Sequence, residues 1–422
     1  LAKFLLNVPY PPAQKRAYTN ELSDRAKAGF DLFHIKGNHE GRPRPNVCGD
    51  CHRMPFLVST NTPGTGMDAP TWRGAYDRFL ILPQGRLNII DFDFYRRLAE
   101  RGIPERAMWR LSWRSLPRFD PVWEMVLEGS TGFSGTFARQ VTLDKSTVDA
   151  PLTANLVEAL ERSSAEGAVV LEVDGVLLDD DQAEPIKLQF DAGYRGGAYV
   201  EVSGDRRTLT RSELFESAGE GGFVGTFTGR HGENADYDHP QPALWTLGPI
   251  QEQRGRQEFP ILFGDNRSMT ISGRHLRPGA SIIVNGRRVA GTISTNPEEE
   301  TVEIALDTLP PIGMHFLQVQ NPHGLFSNDF IFHVAQDEEG ADSLRRSLDP
   351  EALKDSLAAA ISRGDLDETK RLISAGAPLN ERRSEDGMTP LSTAAFHGQL
   401  EIAEFLLEKK ARIAHDNRDG NT

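Results

Sequence analysis

Both cysteines of the 422-residue chain fall in one pentapeptide, Cys48-Gly49-Asp50-Cys51-His52, and no other stretch concentrates reactive residue types so tightly. Two thiols at this spacing can reach the two vinyl groups of one porphyrin. A histidine directly after them then lies beneath the iron as proximal ligand, the C-x-x-C-H pattern of covalent haem c attachment. One covalent haem c, bound through Cys48, Cys51 and His52, is the expectation. Three other chemistries use the same residues. A redox dithiol would want a βαβ context, which the flanks Gly41-Arg42-Pro43-Arg44-Pro45 and Met54-Pro55-Phe56 do not give. A structural zinc needs four ligands, and with no further cysteine the fourth would be a distant histidine or acid. A plain disulfide gives the histidine no role.

Such a motif needs helices to hold it. From Glu21 to Ile35, Leu22, Ala26, Gly29, Phe30 and Phe33 recur mostly at three- and four-residue intervals, which marks an amphipathic helix just ahead of the motif. Gly29 would let another helix come close. After the motif come Asp68-Ala69-Pro70-Thr71-Trp72-Arg73-Gly74 and a second helical stretch near Ile89 to Arg101.

Helix, motif, loop and helix is the order of a cytochrome c fold, and residues 21–101 resemble a class I cytochrome c domain. Ala69-Pro70-Thr71-Trp72-Arg73-Gly74 resembles the P-T/S-L-R-N/G segment of the cytochrome c peroxidase-like subgroup. In that subgroup a loop methionine supplies the sixth iron ligand. In Phe79-Leu80-Ile81-Leu82-Pro83-Gln84-Gly85, Leu82 stands where that methionine is expected, so this ligand does not carry over. Met54, Met67, Met108 and Met125 remain; Met54 lies too close to His52 to reach the opposite face, and Met67 and Met108 are the distal candidates, beside ordinary core packing and an open iron. A Met/His pair favours electron transfer, and an open side admits small ligands. Peroxidases of the subgroup use two haems. With one C-x-x-C-H the chain is not a complete enzyme of that kind, and an electron carrier is expected before a catalyst.

The rest of the chain changes character in steps. Residues 1–20 read as the tail of a missing upstream region, and 21–135 as the cytochrome c domain and an extension. Within the extension Trp109 and Trp113 alternate with Arg106, Arg110 and Arg114, either a solvated helix face or a surface for haem propionates. Residues 136–246 read as a β-rich domain, with a short helix at 152–160 and strands at 168–173, 186–190, 198–202 and 223–227. Its cluster His231, Asp236, Asp238 and His239 is either a polar loop or a metal site.

From 247 to 335 the strands Ser268–Gly273, Ser281–Gly286 and Phe316–Asn321 argue for a β-sandwich. Ile271-Ser272-Gly273-Arg274-His275-Leu276 and Val319-Gln320-Asn321-Pro322-His323-Gly324 resemble elements of an IPT/TIG immunoglobulin-like domain, which implies a spacer or binding module. An acidic linker at 336–348 leads to 349–422. There Asp386-Gly387-Met388-Thr389-Pro390-Leu391-Ser392 and the residues after it closely resemble an ankyrin repeat, with Ser392 in place of the usual histidine. Asp419-Gly420-Asn421-Thr422 restarts the phrase 33 positions on, and Ala358–Asn380 fits an earlier, degenerate unit. Three or more repeats are normally needed, so the array reads as truncated.

The expected fold class is thus multidomain: an all-α cytochrome c domain, a β-rich middle with an Ig-like β-sandwich, and α-helical ankyrin repeats. A net charge of −14 argues against nucleic acid, and no run approaches the roughly 20 apolar residues of a membrane span. The cytochrome resemblance implies a periplasmic or extracellular location and a redox protein partner; the ankyrin resemblance implies a protein ligand on its face. The function expected is one-electron transfer with interaction modules. An interaction scaffold with a sensory or structural haem, or the electron-feeding part of a larger enzyme, are the alternatives.

Overall fold

The structure is a computed structural model that describes residues 12–13, 15–37, 47–55, 57, 71–73, 100–102, 116–129, 132–179, 182–194, 196–204, 206–236, 238–250, 256–374, 376–383 and 386–413. Helix α1 (Asp24–Asp31) falls inside the stretch that the apolar spacing marks. Ser23 caps it by accepting the Ala26 N–H, and the Glu128 carboxylate fixes Ser23, accepting its N–H at 2.7 Å and its hydroxyl at 2.6 Å. A π-helical segment, Leu32–Lys36, continues the chain to Gly37, whose φ of 72° stops it. The cysteines sit on a single turn, α2 (Cys48–Cys51). Helix α3 (Leu116–Glu128) then packs across α1 at Gly29, where an added Cβ would stand 2.0 Å from the Pro121 carbonyl oxygen. The helix expected near residues 89–101 lies outside the described residues apart from 100 and 101.

An all-α domain standing by itself is not evident among the described residues. Leu22, Ala26, Phe30 and Phe33 are buried in one core with Ile271, Phe316 and Phe330 of the β-sandwich, and the Phe30 and Phe316 rings lie 4.9 Å apart. The cause is area. Short helices have too little apolar surface to enclose one another, so another layer must cover them.

Next comes a six-stranded antiparallel sheet. Its elements are β1 (Gln140–Leu143), α4 (Pro151–Ala165), β2 (Val169–Asp179), β3 (Gln182–Asp191), β4 (Ala198–Glu201), β5 (Thr208–Leu209), α5 (Arg211–Glu220) and β6 (Phe223–His231). The strand order is β1-β6-β2-β3-β4-β5. Leu156 and Leu160 of α4 and Leu214 of α5 bury against Leu171, Val173, Phe223 and Phe227. The opposite face carries charge, with Glu172 paired to Lys187 at 3.7 Å and Arg230 at 3.5 Å.

Two further sheets share one core. They are built from β7 (Ala243–Trp245), β8 (Ile261–Leu262), β9 (Ser268–Arg274), β10 (Ser281–Val284), β11 (Arg287–Val289), β12 (Gly291–Asn296), β13 (Thr301–Leu306), β14 (Gly313–Gln320) and β15 (Phe330–Val334). Their orders are β11-β10-β14-β15-β8 and β12-β13-β9-β7. Asn285 and Gly286, with φ of 49° and 82°, make the two-residue turn that lets Val284 pair with Arg287. Because β7 pairs with β9, the sandwich begins ahead of residue 247.

The stretch read as an acidic linker is a helix, α6 (Glu338–Leu348). Asp337 caps it by accepting the Gly340 N–H at 2.8 Å, and Glu338 and Glu339 at its start and Arg345 and Arg346 at its end complement its dipole. Ala341 packs beside Ile261 and Ala335, which docks α6 on the sandwich. Four helices follow, α7 (Pro350–Arg363), α8 (Leu366–Ser374), α9 (Pro390–Phe396) and α10 (Leu400–Glu408), around Leu357, Ile361, Leu372, Ala394, Ile402 and Leu406. Among the described residues no helix is long and apolar enough to cross a membrane.

His333 on β15 gives the sandwich a pH dependence. Burial, then the nearby His315 and Lys36, lower its pKa to about 4. An unfolded histidine titrates near 6.5. Between those values the unfolded chain binds the extra proton, so stability falls as the pH drops from about 6.5 to 4, by roughly 3 kcal/mol at most for this group. His333→Phe should flatten that part of the curve in denaturant melts at pH 7, 6 and 5; an unchanged slope would locate the effect elsewhere.

Candidate functional site

The Cys48–His52 pentapeptide closes on itself through one backbone bond, His52 N–H to the Cys48 carbonyl at 2.8 Å. The Asp50 carboxylate steadies its start by accepting the Val47 N–H at 2.9 Å. The two thiols form no disulfide with each other, and Cys48, Cys51 and His52 are all half-buried. His52 Nδ1 lies 3.2 Å from the Leu57 carbonyl. A carbonyl can only accept, so Nδ1 carries the proton and Nε2 is the basic nitrogen of the ring.

Aromatic rings fix the orientation of that imidazole. Trp72 meets His52 edge to face at 5.8 Å and Phe33 packs at 6.0 Å. The Trp72 N–H also donates to the Leu57 carbonyl at 3.3 Å. Thr71-Trp72-Arg73 and the motif, separate in sequence, are thus brought together at one histidine. Beside them Phe30, Met54, Leu57, Trp72 and Met125 line a narrow cleft of about 30 Å³. That holds a water and not a ring.

Behind the turn lies His34, fully buried, its pKa lowered to about 3 by burial first and by the charges of Arg53 and His52 after it. Gln257 joins the two. Its Nε2 donates to the Gly49 carbonyl at 3.2 Å and to His34 Nδ1 at 3.1 Å. Arg256 beside it donates to the Ile35 carbonyl at 2.7 Å and stands 3.9 Å from Asp50. No sequence signal singles out His34 or Gln257, because a lone histidine on an apolar helix face reads as core and Gln257 is 208 positions from Gly49.

Met67 and Met108, the distal candidates, lie outside the described residues, as do Leu82, Trp109 and Trp113. Met54 and Met125 are both buried, at 2% and 1% exposure. In the loop after β6, His239 Nδ1 lies 2.6 Å from Asp236, while His231 turns to the Gly232 carbonyl.

A second candidate surface is the helical array. Thr389 caps α9 by accepting the Ser392 N–H at 3.2 Å, and the Ser392 hydroxyl accepts the Thr389 N–H at 2.8 Å. Serine therefore closes the cap from the position where the ankyrin phrase has histidine. The loops stack in register, with Asn380 accepting the Arg412 N–H at 2.7 Å. Phe396, Leu400 and Ile413 are 75%, 70% and 76% exposed, an apolar edge on the last described helix pair. The restart at 419–422 lies outside the described residues.

Residues 357–407 match the family described as Ankyrin repeats (many copies). The chain is also similar to a Rickettsia felis protein described as an ankyrin repeat protein, 35% identical over 69 residues. That match takes in 16% of this chain and 23% of the Rickettsia protein, less than a quarter of its length. The C-terminal helices thus carry ankyrin repeats.

Proposed function

We propose that this chain is an extracytoplasmic haem c protein that passes single electrons to a protein redox partner, with its ankyrin repeats holding a protein ligand. The observation that carries the reading is the turn itself: two thiols that form no disulfide with each other stand directly before His52, whose Nδ1 is tied to the Leu57 carbonyl. A second-sphere bond of this kind is what sets the tautomer of a metal-bound histidine. The donor set fits haem c. The cleft beside Trp72 does not have the volume, so a haem would have to sit outside it, against the half-buried Cys48, Cys51 and His52. When bound there the haem supplies one-electron chemistry at its iron; this chain's own part is to anchor it through two thiols, present Nε2, and exclude water with Phe33 and Trp72.

The cytochrome c resemblance of residues 21–101 supports the reading through Trp72, which reaches His52. The two-sheet architecture of the segment that resembles IPT/TIG supports a spacer role. Attachment of haem c in bacteria takes place outside the cytoplasm, which makes the proposed location periplasmic or extracellular.

The test is expression with haem c maturation followed by oxidised, reduced and pyridine haemochrome spectra. A c-type spectrum is expected, lost in Cys48→Ala/Cys51→Ala. The weak long-wavelength band of sulfur-ligated ferric haem would name a methionine such as Met67 or Met108 as sixth ligand. If no covalent haem forms, the second reading takes over: an interaction scaffold, which the ankyrin match of residues 357–407 favours.

A further inference from the structure

The turn that bears the thiols cannot hold itself in place. A single helical turn fixes several backbone dihedrals for one hydrogen bond and is unstable alone, and here that bond is His52 N–H to Cys48. We propose that Gln257, from the segment ahead of β8, is the positioning residue that seats this turn, so that the β-sandwich and not the helical region alone orders Cys48, Cys51 and His52. The proposal deepens the haem reading and rests on it for its purpose, though not for its test.

The seat is close on every side. Gly49 lies flush on His34, where a Cβ would stand 2.5 Å from His34 Nδ1 and 3.2 Å from Gln257 Nε2, so only glycine fits. His34 is immobile, packed edge-on against Phe33 at 4.9 Å and Phe259 at 6.1 Å. Phe259 in turn packs on Phe330 of β15 at 5.8 Å. Gln257 is 4% exposed and spends its donor nitrogen on two acceptors at once, the Gly49 carbonyl and His34 Nδ1. His34 must therefore be neutral, with its proton on Nε2. Removing the amide leaves two buried acceptors unsatisfied and cuts the hydrogen bond from this segment to the Gly49 carbonyl, leaving Arg256 beside Asp50 as the other side-chain contact to the pentapeptide.

The substitutions separate seating from bulk stability. Gln257→Leu keeps the volume and loses both bonds. Gln257→Glu can accept from His34 in its other tautomer but cannot donate to Gly49 when ionised.

The experiment uses the full chain made without haem maturation, reduced, and measures iodoacetamide alkylation of Cys48 and Cys51 together with hydrogen exchange of the 49–52 amides. Gln257→Leu should speed both about tenfold, the effect of a bond of about 1.4 kcal/mol. Gln257→Glu should fall between wild type and Gln257→Leu, and exchange in β9 and β14 should stay as in wild type. Unchanged alkylation and exchange at the turn in both variants would overturn the proposal, as would uniform loosening of turn and sandwich together, which marks a merely structural residue. Because no haem is present, absence of covalent haem in the earlier experiment leaves this result intact. Where covalent haem does form, Gln257→Leu should carry less of it per folded chain than wild type.

Discussion

Asp329→Ala is expected to cost about 3–5 kcal/mol, the cost of stranding a buried charge by removing its partner. Asp329 and Arg16 meet two to two, each pair at 3.1 Å, and their side chains are 1% and 5% exposed. The guanidinium has further acceptors in Gln318 at 3.0 Å, the Glu128 carbonyl at 3.2 Å and Asn20 at 3.2 Å. One cation thus ties the segment ahead of α1 to the end of α3, to strand β14 and to the residue just before β15. With the carboxylate gone, those neutral acceptors cannot replace its charge. Asp329→Asn keeps the shape and one acceptor, so it should cost clearly less. Hydrogen exchange of the 317–320 amides reads the change locally, which suits a chain of several modules better than one global melt. A cost below about 1 kcal/mol for Asp329→Ala would mean the guanidinium is hydrated in solution and the helical region is not nailed to the sandwich in this way.

That tie also explains what the sequence hid. Periodicity locates α1, and turn residues bound β9, β10 and β14, because those signals are local. The ankyrin phrase is legible for the same reason: Thr389, Pro390 and Gly398 act within one or two turns of themselves. Which face covers which is a long-range property. Phe30 reads as the inside of a helical domain, and nothing in its neighbourhood says that Phe316 is the ring that covers it.

Charge misled the reading of α6, where Glu338, Glu339, Arg345 and Arg346 look like solvated linker until their placement at opposite helix ends is noticed. Helix α5 was missed although Thr210 and Glu213 form a capping box three residues apart, a signal that was there to be used. At the site, Cys48, Cys51, His52 and the Trp72 segment were legible as motifs. The layer behind them was not, since Gln257 and His34 are 223 positions apart and have no motif of their own.

Gly29→Ala and Gly219→Ala should move stability in opposite directions, although both replace a helical glycine by the best helix former. Propensity alone favours alanine by up to about 1 kcal/mol at either place. Around Gly219, within α5, nothing stands within 4 Å of the new methyl, so the propensity gain should appear undiminished. At Gly29 the methyl would be 2.0 Å from the Pro121 carbonyl oxygen, 2.6 Å from its carbon and 2.8 Å from the Met125 Cβ. Two of those atoms are backbone and cannot rotate away; the helices must part. Met125 and Val126 on α3, now packed to 1% and 6% exposure, would lose contacts along the crossing. Overpacking of this kind costs about 1–3 kcal/mol and more where backbone has to move, so the clash outweighs the propensity gain and a net loss of at least about 2 kcal/mol is expected at Gly29. Exchange of the α1 and α3 amides, compared with that of α5 in the second variant, checks both signs in one experiment. A neutral Gly29→Ala would mean that α1 and α3 do not cross as closely as this.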